Sequence, residues 1–131
     1  MHEKQIENLL KLSAQERLDY FVRHCADFEI VWRLVIGEDN WVIFKDHEGD
    51  EVFPLWPHKD LAEVCCFDEH KQMGAKPQAI TLTPFFEKCV PDMQSRNIYF
   101  GVFYDKGRKG LAVTPEELKR ALQDEIESNW L

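Results

Sequence analysis

Cysteine and histidine are the residue types here that could support nucleophilic or metal chemistry, and their spacing favours neither. The four cysteines stand at positions 25, 65, 66 and 89 without a CxxC pair, and the five histidines form no zinc-finger or HExxH pattern. Cys25 follows His24, but adjacent residues on a helix point about 100° apart and do not face each other. We therefore predict reduced, buried thiols, no catalytic residue, no metal and no cofactor.

An acidic turn, with carboxylates at positions 46, 48, 50 and 51, offers the oxygen ligands that calcium prefers. A calcium loop needs glycine at its sixth position, whereas Gly49 is fourth in this run. A solvated turn between two strands explains the same residues. We predict such a turn, without a bound cation.

The run Lys106-Gly107-Arg108-Lys109-Gly110 is the basic cluster of an otherwise acidic chain. Its glycines would let the backbone approach an anion closely, and its three cations would attract one. The order GxxxxGK[ST] of a phosphate-binding loop is absent, and a turn between strands uses the same residue types. Lys106, Arg108 and Lys109 are therefore candidate binding residues, with a plain turn as the alternative.

Three tryptophans, Trp32, Trp41 and Trp56, fall on three successive predicted strands. Two of them on one exposed face would form an aromatic binding surface, and burial in the core is the alternative. Trp56 is the candidate anchor because it ends a proline-bearing strand, where a side chain can be partly exposed. Trp130, next to the C-terminus, is a candidate for docking on the N-terminal helix or on a partner.

Helix signals divide the chain. Ser13–Glu16 and Thr114–Glu117 are capping boxes, in which the first side chain accepts a free backbone N–H and the glutamate reaches back. The predicted helices cover residues 3–12, 13–26, 58–67, a segment capped by Thr83 and interrupted at Pro91, and 114–126. Residues 69–78 are predicted to be a loop, followed by a short extended piece at 79–82.

The β-branched and aromatic runs at 31–36, 41–44 and 52–56 predict a three-stranded antiparallel meander, with Pro54 at an edge or bulge. Residues 98–104 and 111–113 predict a C-terminal hairpin. The fold class is therefore α+β, a mainly antiparallel sheet (three-stranded meander plus C-terminal hairpin) packed with helices. We expect a single domain over residues 1–131, in which 1–12 is a candidate for a loosely attached helix.

Five motifs occur in a characteristic order between about residues 16 and 124. They are Val31-Trp32-Arg33-Leu34, Phe53-Pro54-Leu55-Trp56-Pro57, Ile80-Thr81-Leu82-Thr83-Pro84-Phe85-Phe86, Gly101-Val102-Phe103 and Val113-Thr114-Pro115-Glu116-Glu117-Leu118. Their arrangement resembles a bacterial family known only as domain of unknown function 2750. The resemblance implies a small cytosolic domain and brings no known activity, so it assigns no catalytic residue.

The net charge of −8 argues against general nucleic-acid binding and against anionic membranes, and favours basic partners. Without an apolar stretch long enough for a signal peptide or a membrane span, we expect a cytoplasmic protein. The first hypothesis is a non-catalytic protein-binding or regulatory module, with an immunity protein that covers a basic toxin as a special case.

Two other hypotheses stay open. One is a small enzyme with a site at the corner Trp56-Pro57-His58, completed by Tyr104 and Arg108, so that Trp56, His58 and Tyr104 join the candidate binding residues. The other is a structural subunit of a homo-oligomer, which would show a large, flat apolar face. A deep pocket around a titratable group would favour the enzyme.

Overall fold

The computed structural model describes residues 1–129, in which helices pack against two β-sheets. The helices are α1 (Glu3–Leu10), α2 (Ala14–Phe28), α3 (Lys59–Cys65), α4 (Asp68–Gln72), α5 (Leu82–Pro84), α6 (Val90–Ser95) and α7 (Pro115–Ser128), with a π-helical turn, Phe85–Cys89, between α5 and α6. The strands are β1 (Ile30–Ile36), β2 (Asn40–Trp41), β3 (Phe44–Lys45), β4 (Glu51–Leu55), β5 (Lys76–Thr81), β6 (Tyr99–Val102) and β7 (Leu111–Val113). The predicted α+β class is confirmed, and Trp130 lies outside the described residues.

Both predicted capping boxes form. The Ser13 hydroxyl accepts the backbone N–H of Glu16 at 3.1 Å, and the Glu16 carboxylate accepts the N–H of Ser13 at 3.0 Å. Thr114 and Glu117 make the same reciprocal pair at 3.2 Å. These local contacts fix the starts of α2 and α7, the two long helices that pack side by side.

The predicted three-stranded meander is wrong, because its strands belong to two sheets. One sheet has the order β2-β1-β5 and is antiparallel, whereas the other has the order β3-β4-β6-β7 and contains a parallel β4–β6 pair. The run 41–44, predicted as one strand, divides so that Trp41 ends β2 and Phe44 begins β3. Residues 52–55 of β4 are buried, and β4 lies between β3 and β6, so its backbone is paired on both sides and β2 is not its partner.

Pro54 lies on an internal strand, although the sequence predicted an edge or a bulge at this position. β3 pairs only with Glu51 and Val52, so Pro54 lies beyond the end of β3. The sheets meet where Trp32 and Trp56 exchange backbone hydrogen bonds of 3.0 and 2.9 Å. The C-terminal β6–β7 hairpin is antiparallel, as predicted.

The predicted loop at 69–78 is also wrong. It contains most of α4 and the first half of β5, which pairs with β1 from Ile30↔Thr81 to Val35↔Lys76. Lysine, proline and alanine, which make up half of β5, have low strand propensity, so this strand is defined by its partner β1 rather than by its own sequence. The next helix begins at Leu82, two residues before the predicted position, and passes through the π-helical turn before Pro91.

The main core contains most of the buried apolar side chains, and Val52, Phe67 and Tyr104 form a second, smaller cluster. The largest fully buried side chains of the main core include five phenylalanines, at positions 21, 53, 85, 100 and 103. No residue of α1 is fully buried, although Ile6, Leu9 and Leu10 pack against the core. Among the described residues, no helix has the length and apolar character that crossing a membrane requires.

Candidate functional site

Trp56 is part of the core. Its side chain is 1% exposed, and the indole N–H donates a hydrogen bond of 3.0 Å to the carbonyl oxygen of Tyr104. The expectation of a partly exposed anchor at Trp56 is therefore corrected: residues 52–55 of β4 are buried, and Trp56, which follows them, is buried as well. Its function in this structure is to connect the end of β4 with the segment after β6.

Tyr104 is buried as well. Its ring packs against Gly101 and Gly110, and a Cβ atom at Gly110 would overlap the ring. Burial raises the pKa of the Tyr104 hydroxyl, so the side chain stays protonated at neutral pH. Tyr104 thus joins β6 to the basic turn and has little surface to offer a ligand.

Asp105 and Glu69 already bind several of the donors of the basic turn. One carboxylate oxygen of Asp105 accepts the backbone N–H groups of Gly107 and Lys109, both at 2.9 Å, so these donors are not free for an anion. Arg108 donates to the carboxylate of Glu69 and lies over the ring of Phe67, 4.1 Å from its centroid. That ion pair lowers the pKa of Glu69.

Lys106 and Lys109 have exposed side chains in this turn. Tyr104, Arg108 and Lys109 line one cleft of about 680 Å³, whereas Lys106 is not among its lining residues. Asp46, Glu48 and Asp50 of the acidic turn line the same cleft. Because its lining carries charges of both signs, the cleft does not select an anion.

Arg17 is a buried arginine that the sequence argument missed. Its side chain is 4% exposed, and its guanidinium donates to the carbonyl oxygens of Phe103 at 2.9 Å, Leu12 at 2.7 Å and Lys109 at 2.8 Å. Asp105 lies 3.9 Å away and provides the counter-charge. Arg17 therefore fixes the segment after β6 to α2.

A sequence signal for Arg17 did exist. Positions 17, 21 and 25 follow each other at four-residue intervals, and Phe21 and Cys25 are fully buried on the core side of α2. An arginine in line with two core residues is expected to be buried and to find backbone acceptors.

His58 lies in an open cleft of about 510 Å³, which we call the aromatic cleft. Three of its residues, Tyr20, His24 and Phe28, come from α2 at four-residue intervals and so share one face of the helix. The other residues that line it are Met1, Gln5, Ile30, Trp32, Pro57, His58, Lys59 and Asp60. Phe28 is 63% exposed, which is unusual for so large an apolar side chain.

The rings of the aromatic cleft are in direct contact. The Tyr20 hydroxyl and Nε2 of His58 are 2.6 Å apart, which is a hydrogen bond. The His24 ring centroid is 4.0 Å from that of His58 and 4.4 Å from that of Phe28, and Tyr20 stacks on His24 at 5.5 Å. These side chains form one pre-packed aromatic wall.

The aromatic wall is uncharged at neutral pH. Burial, helped by the proximity of His24, lowers the pKa of His58 to about 4, although Asp60 acts in the opposite direction. Burial also lowers the pKa of His24 and raises the pKa of Tyr20. Both imidazoles are therefore neutral and the phenol keeps its proton, so this wall favours apolar and aromatic ligands over anions.

A groove between α2 and α7 lies on another flank of α2, because Leu18 and Val22 point about 120–160° away from Tyr20 and His24 around the helix. Its volume is about 420 Å³, and its lining residues are Leu18, Asp19, Val22, Arg23, Val113, Glu117, Leu118, Ala121 and Glu125. A shallower cleft of about 430 Å³ shares Tyr20 and His24 with the aromatic cleft, and Arg23 and Glu125 with the groove. The groove and the shallower cleft share Arg23 and Glu125, and we call these two depressions together the α2 surface.

The cysteines take no part in these clefts. All four are buried and free, and burial raises the pKa of Cys65 to about 11 and that of Cys89 to about 12. Thiols of this kind are weak nucleophiles at neutral pH. Over the described part of the chain, histidine, cysteine and carboxylate side chains form no group of three that could hold a metal ion.

A comparison with family models identifies residues 18–122 as matching the family described as Protein of unknown function (DUF2750). Neither the curated proteins nor the solved structures contain a significant match. The match covers β1 to β7 and most of α2 and α7, so it includes Tyr20, His24, Phe28 and His58. The chain therefore belongs to the Protein of unknown function (DUF2750) family.

Proposed function

We propose that this chain is a non-catalytic cytoplasmic module that binds a basic segment of another protein along its α2 surface. The observation that carries the proposal is the open groove between α2 and α7, which is lined by both apolar side chains and carboxylates. A protein or peptide segment fits this shape better than a small molecule, which is usually enclosed on most of its surface.

The floor of the groove is apolar. Leu18 and Val22 of α2 and Ala121 of α7 are half-buried, so part of each side chain remains open to a partner. An amphipathic helix places apolar residues at intervals of three and four, which matches the spacing of Leu18 and Val22. The groove therefore provides the apolar strip that a helical segment needs.

The charge along the groove and the shallower cleft is negative. Asp19, Asp27, Glu117 and Glu125 contribute carboxylates, and Arg23 contributes the one guanidinium among the lining residues of these two depressions. Such a surface attracts lysine and arginine and repels acidic segments, so it sets specificity and the rate of encounter. A basic toxin or nucleic-acid enzyme is a special case of such a partner.

A peptide titration tests the proposal. The probe is an amphipathic helical peptide with leucine on one face and lysine on the other, and its counterpart carries glutamate in place of lysine. We expect the basic peptide to shift backbone amide NMR signals of α2 and α7 and to bind more weakly as salt is raised. The acidic peptide should not bind.

Charge reversal supplies the matched control. The double variant Asp19→Lys with Glu125→Lys should weaken binding of the basic peptide at least tenfold. Asp39→Lys, at an exposed acidic position in the turn between β1 and β2, should leave binding unchanged. Equal binding of both peptides, or shifts that map away from α2, would contradict the proposal.

A small enzyme at His58 is the second candidate, and the 2.6 Å contact between Tyr20 and His58 is the observation that favours it. A general base is most effective when its pKa is near the working pH, whereas the pKa of His58 is about 4. This difference is why we prefer the binding module. If the protein turned over a substrate in a hydrolase and transferase screen, and His58→Gln abolished this turnover, the enzyme would become the better hypothesis.

A further inference from the structure

We propose that the cleft lined by the acidic turn and the basic turn binds a small zwitterion, an α-amino acid with an apolar side chain. The inference goes beyond the proposed function, because this cleft shares no lining residue with the α2 surface. Its volume of about 680 Å³ is in the range of small-molecule sites, roughly 300–1,000 Å³. The observation that carries the inference is the hydroxyl group of Tyr104.

The hydroxyl group of Tyr104 is a hydrogen-bonding group that the fold does not use. The residue is 6% exposed, and its ring packs against Gly110 and against Phe44, with the Tyr104 and Phe44 centroids 5.7 Å apart. Within residues 1–129 the hydroxyl makes no hydrogen bond, whereas the polar side-chain atoms that are fully buried there all have partners. The hydroxyl is therefore not sealed inside the core, and because Tyr104 lines the cleft, it is the atom that a ligand can reach.

The charges of the cleft suit both ends of a zwitterion. Asp46, Glu48 and Asp50 contribute carboxylates, and across residues 1–129 these carboxylates form no ion pair. The ammonium group of Lys109 also has no carboxylate partner in this part of the chain, whereas Arg108 is engaged by Glu69. A ligand of one sign is attracted by one set of charges and repelled by the other, whereas each end of a zwitterion can meet the opposite charge.

An α-amino acid can use these groups together. Its ammonium and its carboxylate are bonded to the same carbon, and a phenolic hydroxyl can both accept and donate a hydrogen bond. Burial and the nearby carboxylate of Asp46 raise the pKa of Tyr104, so the hydroxyl keeps its proton and lies towards the acidic turn. The ammonium therefore meets Asp46 and the hydroxyl, and the carboxylate meets Lys109. The half-buried ring of Phe44 lines the same cleft and offers an apolar contact to the side chain of the ligand.

Three related compounds test the inference by NMR titration. L-phenylalanine is the zwitterion, N-acetyl-L-phenylalanine lacks the ammonium group, and L-phenylalaninamide lacks the carboxylate. We expect L-phenylalanine to shift backbone amide signals of residues 44–50 and 104–112, and each of the other two compounds to bind at least tenfold more weakly. Equal binding of the three compounds, or no shift with L-phenylalanine at millimolar concentration, would overturn the assignment.

Tyr104→Phe removes only the hydroxyl group. Because that hydroxyl has no partner among residues 1–129, we expect the free energy of unfolding in urea to stay the same and the affinity for L-phenylalanine to fall at least fivefold. Lys109→Gln should also weaken binding, whereas Lys106→Gln, a matched change in the same turn but outside the lining of the cleft, should not. Unchanged affinity in Tyr104→Phe, a loss of stability in that variant, or equal effects of the two lysine changes would count against the site.

Discussion

His58 makes the stability of the fold depend on pH in a window that the structure defines. In the unfolded chain the imidazole takes up its proton near its ordinary pKa of 6.5, whereas in the folded chain it does so near 4. Between these values the unfolded state binds more protons, so lowering the pH favours unfolding. The stabilising effect of neutral His58 is fully present above pH 6.5 and is lost by about pH 4.

The magnitude follows from the two pKa values. A difference from 6.5 to about 4 corresponds to an upper limit of about 3.4 kcal/mol, since each tenfold change in proton affinity is worth about 1.36 kcal/mol. His58 is only half-buried, and solvent screens its electrostatic interactions. We therefore expect His58 to account for about 1.5 kcal/mol of the free energy of unfolding that is lost between pH 7 and pH 4.

Urea denaturation at pH 7 and pH 4 measures this loss for the unmodified protein and for His58→Gln, whose side chain does not titrate. The variant should lose about 1.5 kcal/mol less than the unmodified protein, because carboxylates contribute to both in the same way. His47→Gln, a change at an exposed histidine outside the aromatic cleft, should lose as much as the unmodified protein. An equal loss in His58→Gln, or an NMR titration of the His58 ring near pH 6.5, would refute the reasoning.

Three further substitutions test what holds the fold together, each by comparison of free energies of unfolding in urea. Arg17→Met should cost about 3–5 kcal/mol, because three backbone carbonyl oxygens lose their donor inside the protein; a loss below about 1 kcal/mol would show that water replaces the guanidinium. Trp56→Ala should cost about 3–5 kcal/mol through an internal cavity and the lost hydrogen bond to Tyr104, whereas a stable variant would contradict the buried position. Thr114→Ala should cost about 1 kcal/mol through the lost cap of α7, and no change in the urea midpoint would mean that the cap is replaced by solvent.

The helices show what local sequence can decide. Ser13 and Thr114 determine where α2 and α7 begin because a capping box acts between residues only three apart. Chain order and turn residues were enough to predict the β6–β7 hairpin, because its two strands are close in sequence. The family was also recognisable from short motifs and their order.

The candidate site was only partly accessible to the same reasoning. His58 was chosen from its place after a strand and a proline, and it does line a cleft. Its partners Tyr20 and His24 were missed because they come from another helix, 38 and 34 positions earlier in the sequence. Nothing in a local pattern shows which face of α2 meets residue 58.

The sequence by itself therefore determined the starts of α2 and α7, their amphipathic faces, the α+β class and the acidic character of the chain. The tertiary structure alone decided that β4 pairs in parallel with β6, that Lys76–Thr81 is a strand, and that Trp56 is buried. The physical reason is the distance along the chain over which each interaction acts. A cap or a helical face depends on residues within one or two turns of the same helix. Strand pairs such as Val52 with Tyr99 and Ile30 with Thr81 join residues about fifty positions apart, and they form only together with the core.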